Sequence, residues 1–231
     1  MRSRSLAALL TLAVALPAWA QRAPDTRPGI AVFPFQNGGS IGQEREDFDA
    51  LQYGIQGMLI SELAANPSAR IVEREALQRL LDEQNLAASG RVDPQTAARL
   101  GKLVGARYVV LGTFIDFYGD FRLDARLVDV ETSQLVRTQA ERMQRDHLFD
   151  LIKALSTKLM KDANLPPLPR QTSDQRSSRQ VPTEALTYYS RAILYHDRGD
   201  KEKAVAMYRR ALDVFPQYAE AEEGLQRVQR S

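Results

Sequence analysis

The sequence predicts an α/β protein, a mixed sheet flanked by helices, followed by a small all-α helical hairpin. Three observations lead there. Short apolar runs of strand character, at residues 29–37, 70–73 and 106–118, alternate with segments whose apolar residues recur every three or four positions. Two runs on either side of Gly119–Asp120 read as an antiparallel hairpin. A stretch rich in Pro, Ser and Arg at 165–182 separates all this from a segment of alanines and tyrosines at helical spacing.

The first twenty residues are set apart from the fold. Arg2 and Arg4 make a basic start, Leu6 to Leu16 an apolar run, and Ala18 to Ala20 a small-residue cleavage site. These are the parts of a secretory signal peptide, cut before Gln21, and the run is too short to span a bilayer. The chain carries 31 basic and 29 acidic side chains. Removing Arg2 and Arg4 leaves 29 against 29, and a balanced surface has no long-range field to gather nucleic acid or anionic lipid. Cysteine is absent, so neither disulfides nor a lipid-modified cysteine can hold the chain. The expectation is a soluble periplasmic protein with no integral membrane span.

"GIAVFPFQN" (29–37) reads as a strand ending near Pro34, since proline cannot donate to a ladder. Phe48, Leu51, Ile55, Met58, Leu59 and Leu63 then mark one face of a helix reaching about Ala65. Gly54 and Gly57 inside it each cost about 1 kcal/mol against alanine, which close packing against the sheet would explain. "RIVE" is a short second strand. Leu77, Leu80 and Leu81 line a second helix, stopped by Ser89–Gly90; Asp93–Pro94 caps and opens a third that ends near Gly105. The polar interval Asp82–Gly101 is therefore punctuation between helices. "ARYVVLGTFIDFY" (106–118) is apolar enough for a strand covered on both faces, and "FRLDARLVDV" alternates as a half-buried one. A further strand runs from about Leu135 to Met143. Leu148, Leu151, Ile152, Leu155 and Leu159 line the last helix of the domain.

Residues 165–182 read as a linker, semi-rigid at its prolines and flexible after them. Beyond it, Ala192, Ala204 and Ala211 with Tyr188, Tyr195 and Tyr208 fit two close-packed helices that bend at Gly199 and end at Pro216. Residues 218–230 add a third, capping helix.

Patterns of catalytic chemistry are weak. His147 and His196 have no Cys or carboxylate at metal-ligand spacing, so neither a metal nor a cofactor is expected. "GKLVG" lacks the ending of a phosphate loop and sits on a helix; "NGGSIG" reads as a flexible loop. No Gly-x-Ser-x-Gly elbow is present, and Ser40 and Ser61 have no histidine nearby in sequence. A hydrolase would need a site assembled only in space.

The spacing of residues 185–216 resembles the tetratricopeptide repeat, with Arg191 where the pattern prefers leucine. That resemblance implies a peptide-binding concave face on its first helix, at Tyr189, Ile193, His196 and Asp197. A lone repeat has little surface of its own, so it should pack on its own domain, self-associate or join another chain. Residues 29–164 resemble the periplasmic domain of the CsgG family, curli production assembly/transport components. The carrying stretches are "IAVFPF", "GIQGMLISEL", "IVEREALQRLLDEQ", "SGRVDPQTAARLGKLVGARYVVLGTF" and "LDARLVDVETSQLV". Related domains occur in FlgO, LpoB and the amino-terminal part of TolB.

The resemblance implies a non-enzymatic assembly or scaffolding protein working by contacts with other envelope proteins or with further copies of itself. An alternative is a regulator of peptidoglycan synthesis similar to LpoB. The channel-forming members carry a lipidated cysteine and two long insertions that become membrane hairpins. Here the corresponding joints are "GD" and residues 142–147, and a membrane strand alone needs about 9–11 residues. No pore is expected, and no nucleic acid or small-molecule substrate.

Overall fold

The computed structural model describes residues 25–86 and 92–230. The signal-peptide segment and the Ser89–Gly90 helix stop lie outside the described residues. β1 (Gly29–Val32), β3 (Arg70–Ile71), β4 (Tyr108–Phe117), β5 (Asp120–Asp129) and β6 (Leu135–Gln144) form a sheet in the order β3-β1-β4-β5-β6. β1 runs parallel to β3 and β4, while β4-β5-β6 is an antiparallel meander. As proline requires, β1 stops at Val32, before Pro34. The chain then rejoins β4 as β2 (Gln36–Asn37).

One face of the sheet is covered by α1 (Arg45–Ala64) and α4 (Leu148–Asp162). Ile30, Val32, Val110, Phe114, Phe121, Leu123 and Leu127 meet the apolar stripes of the two helices there. The opposite face carries α2 (Arg74–Glu83) and α3 (Pro94–Leu103), with Leu77, Leu81, Ala97 and Leu100 on Ala31, Phe33, Val109 and Leu111. Asp93 caps α3 as its type suggests, accepting from the N–H groups of Gln95 and Thr96 at 3.0 Å.

Two expectations are corrected. β4 is covered on both faces only over its first half. Farther on, Phe114 and Asp116 are buried, but Ile115 is 38% and Phe117 60% exposed on the other face. The reason is length: a ten-residue strand spans about 34 Å, and a ten-residue helix about 15 Å. The second correction concerns the linker, which contains α5 (Arg170–Ser178). This helix buries no residue of its own. Ion pairs dock it: Arg176 bonds Glu62 of α1 at 2.7 Å (Nε) and 2.6 Å (Nη2), and Ser156 of α4 at 2.8 Å.

The C-terminal part folds as expected into α6 (Thr183–Asp197), α7 (Lys201–Val214) and α8 (Ala219–Arg230). Gly199 makes the bend with φ +79°, a left-handed conformation that glycine adopts without strain. Asp200 caps α7 by accepting from Lys203 N–H at 3.1 Å. Ala185, Ala192, Ala204, Ala211, Tyr208 and Tyr218 belong to the same buried cluster as α1, α4 and the sheet. The repeat and the α/β domain share one core.

Candidate functional site

The shared core is built at the contact between α1 and α6. An alanine Cβ at position 54 would lie 1.7 Å from Ser190 Oγ, and one at position 57 would lie 2.6 Å from Tyr189 Oη. The two glycines of α1 thus serve α6, not the sheet as their position suggests. Polar ties flank this seam. Arg191 Nε donates to Asp47 at 2.6 Å and Tyr195 Oη to Glu46 at 2.8 Å. Arg191 therefore replaces the repeat's usual leucine because its position faces the acidic first turn of α1. At the other end of α6, Arg74 of α2 holds Asp197 with two hydrogen bonds, 2.8 and 2.9 Å.

The four residues assigned to a concave binding face are placed accordingly. Tyr189 is 7% and Ile193 3% exposed, both against α1, and Asp197 is consumed by Arg74. His196 is half-buried beside that pair; burial lowers its pKa, opposed by the nearby Asp197 charge. The inner face of the repeat is filled by the protein's own domain.

What remains open is a cleft of about 600 Å³ where α1, α2, α6, α7 and α8 converge. Tyr189, Ile193 and Tyr208 form its apolar floor, and Glu73, Arg79, Glu223 and Arg227 stand among its charged walls. Burial pushes the Tyr208 hydroxyl up to about 12 and Tyr189 higher still, so both stay neutral. Such a floor offers apolar contact with charged groups around it.

The wall next to α5 carries a second ion network that no sequence pattern announced. Glu62, 2% exposed, receives Arg176 and lies 3.7 Å from Arg179 Nη1. Arg179 also pairs with Glu220 of α8, and Ser61 donates to the same carboxylate. Burial works against the Glu220 charge, but the hydrogen bonds from Arg179 and Ser61 outweigh it and hold the pKa below the ordinary value.

Ser40 and Ser61 have other partners than the two histidines. Ser40 Oγ accepts from Asp116 N–H, Ser61 faces Glu220, and His147 sits exposed between Asp146 and Asp150. Among the described residues, no group of three or more His, Cys, Asp or Glu side chains could hold a metal ion.

Residues 11–122 match the family described as curli production assembly/transport component CsgG, and residues 185–218 match the tetratricopeptide repeat. No curated protein matches the chain. Similar solved structures include the LpoB C-terminal domain from Salmonella enterica, 19% identical, covering 51% of this chain and 82% of that one, with a TM-score of 0.37. TolB from Acinetobacter baumannii is 16% identical, over 72% of this chain and 32% of that one, with a TM-score of 0.37. The PelC dodecamer from Paraburkholderia phytofirmans is 16% identical, over 61% and 90%, with a TM-score of 0.34. The first half of the chain is thus similar to the CsgG family, and residues 185–218 to the tetratricopeptide repeat.

Proposed function

We propose that this is a non-enzymatic assembly or scaffolding protein of the periplasm, acting through contacts with other envelope proteins and having no pore of its own. The observation that carries the reading is the junction cleft, an apolar floor with charged walls between two folds that share one buried core. The CsgG-family and repeat matches support work by contact. The signal-like start supports export, and no described helix is long and apolar enough to cross a membrane.

The joints where pore hairpins would insert support the absence of a pore. β4 and β5 meet in a two-residue turn, Tyr118–Gly119, with φ of 51° and 96°. Positive φ at both central residues is the geometry that matches strand twist in a tight hairpin. Fully buried Asp116 accepts from Gly119 N–H at 2.8 Å and pairs with Arg145, just beyond β6. Both joints are tied to one carboxylate.

The test is made in cells, with a photo-crosslinking residue at Arg79 or Glu223 and fractionation of the exported chain. The expected result is release with periplasmic contents after a high-salt wash, with crosslinks to an assembly or secretion component. Retention in outer-membrane vesicles after that wash refutes the pore-free reading. Crosslinks confined to a peptidoglycan synthase replace scaffolding with regulation of wall synthesis.

A further inference from the structure

β6 ends the sheet. Among the described residues its one strand neighbour is β5, so one side of a ten-residue strand faces outward. Arg145 N–H donates to Gly119 O at 2.8 Å, which sets the sense of the alternation. From Arg137 onward, odd-numbered residues turn their backbone groups toward β5, and Thr138, Ala140 and Arg142 turn theirs outward. Open edges of this length pair readily with another strand unless proline, a bulge or charge prevents it. β6 has no proline, and the irregularity in its ladder with β5 lies at Leu127/Val128, beside its first residues. Its charges are Arg137, Glu141 and Arg142.

Those charges fit a second copy of the same strand. With two β6 strands antiparallel and centred on Gln139, Arg137 of each copy lies opposite Glu141 of the other. Thr138 then faces Ala140. No like charges are opposed. Leu135 and Val136 lie beyond the irregularity and take no part in this pairing. Moving the centre to Thr138 sets Arg137 against Gln139. Moving it to Ala140 sets Arg137 against Met143. Of these three, only the register centred on Gln139 opposes Arg137 and Glu141.

The intramolecular partners on that face are compatible. Lys158 meets Glu141 at 2.5 Å, and Asp162 accepts from Gln139 and lies 3.8 Å from Arg137. Both come from α4, on one face of β6, while the residues with outward backbone groups, Thr138, Ala140 and Arg142, are exposed.

We propose that β6 is a self-association edge: two copies join antiparallel about Gln139 into one continuous sheet. The chain has no native cysteine, so single-cysteine variants report the register directly. Gln139→Cys places the two thiols opposite each other, whereas two Arg137→Cys thiols lie four positions out of step, roughly 13 Å along the strands. Oxidation is expected to link Gln139→Cys as a dimer and leave Arg137→Cys monomeric.

Sedimentation of the unmodified mature chain should show a monomer–dimer equilibrium. Arg137→Glu opposes like charges twice and should weaken it on the order of tenfold. Adding Glu141→Arg should restore it. A monomer at every concentration, equal crosslinking at both cysteine positions, or no rescue by the charge swap overturns the proposal.

Discussion

Replacing Gly54 with alanine would put a Cβ 1.7 Å from Ser190 Oγ, 2.6 Å from its Cβ and 3.2 Å from its Cα. The hydroxyl could rotate away, at the loss of its 2.7 Å hydrogen bond to Leu186 O. The Cβ and Cα cannot, so α6 itself must move. Helix propensity alone favours alanine over glycine by about 1 kcal/mol. Overpacking a tight interior contact typically costs about 1–3 kcal/mol, occasionally more. Two backbone-anchored atoms inside contact distance call for the upper end, leaving a net destabilisation of about 2 kcal/mol.

For a chain of this length that lowers the melting temperature by about 4–8 °C. Circular dichroism, in thermal and urea unfolding, measures it. The double variant Gly54→Ala with Ser190→Gly removes the obstructing side chain and should return within about 1 kcal/mol of the parent. A single variant as stable as the parent, or more stable, would refute the close seam between α1 and α6.

Arg74→Ala strips the partner from a largely buried Asp197, and such losses run about 3–5 kcal/mol. Asp197 keeps some solvent access, so urea unfolding should register about 3 kcal/mol. Arg191→Leu restores the residue the repeat pattern prefers, yet should destabilise by about 1–2 kcal/mol, because charge-assisted bonds to Asp47 are lost. Glu220 has a folded pKa below its ordinary 4.5, so its contribution is complete above that pH and disappears as pH falls through the folded value. The urea midpoint should drop through this range, and Glu220→Gln should show a smaller drop.

Periodicity made most of the α/β fold legible. The alternation in β5 and the three-to-four spacing in α1 and α4 are each set by a single buried face, which a sequence displays directly. α5 was hidden because "RQTSDQRSS" has no apolar stripe; it is held by Arg176 reaching Glu62, 114 positions away. The exposed end of β4 was hidden too, because an apolar run does not reveal how far its covering helices extend. At the junction, Tyr189 and Ile193 were recognisable as an inward face, but their occupant was not. Arg74 and Asp197 are 123 residues apart and share no local pattern. One signal was available: Arg191 breaks the repeat pattern, and a charge at an inward position implies an opposite charge across from it.

The glycine pair also explains why a single repeat can stand here. Repeats normally bury their inner face on a neighbouring repeat, and fewer than three seldom make a stable core. α1 takes the neighbour's place. From Gly54 to Leu59 every residue of α1 is buried, which means that its middle is covered on all sides, by the sheet and by α6. A helix in that position must be small where a second helix crosses and apolar toward the sheet. Gly54 and Gly57 meet the first demand, and Ile55, Met58 and Leu59 the second. Buried Gln56 donates its amide N–H to Val32 O at 2.7 Å, while its amide oxygen has no hydrogen-bond partner among the described residues. The composition change at residues 165–182 is therefore a boundary in sequence and not in packing, since α1 has no second surface to lose without exposing core. Any partner binding in the junction cleft meets both folds at once, and its affinity should fall with Gly54→Ala even though that residue does not line the cleft.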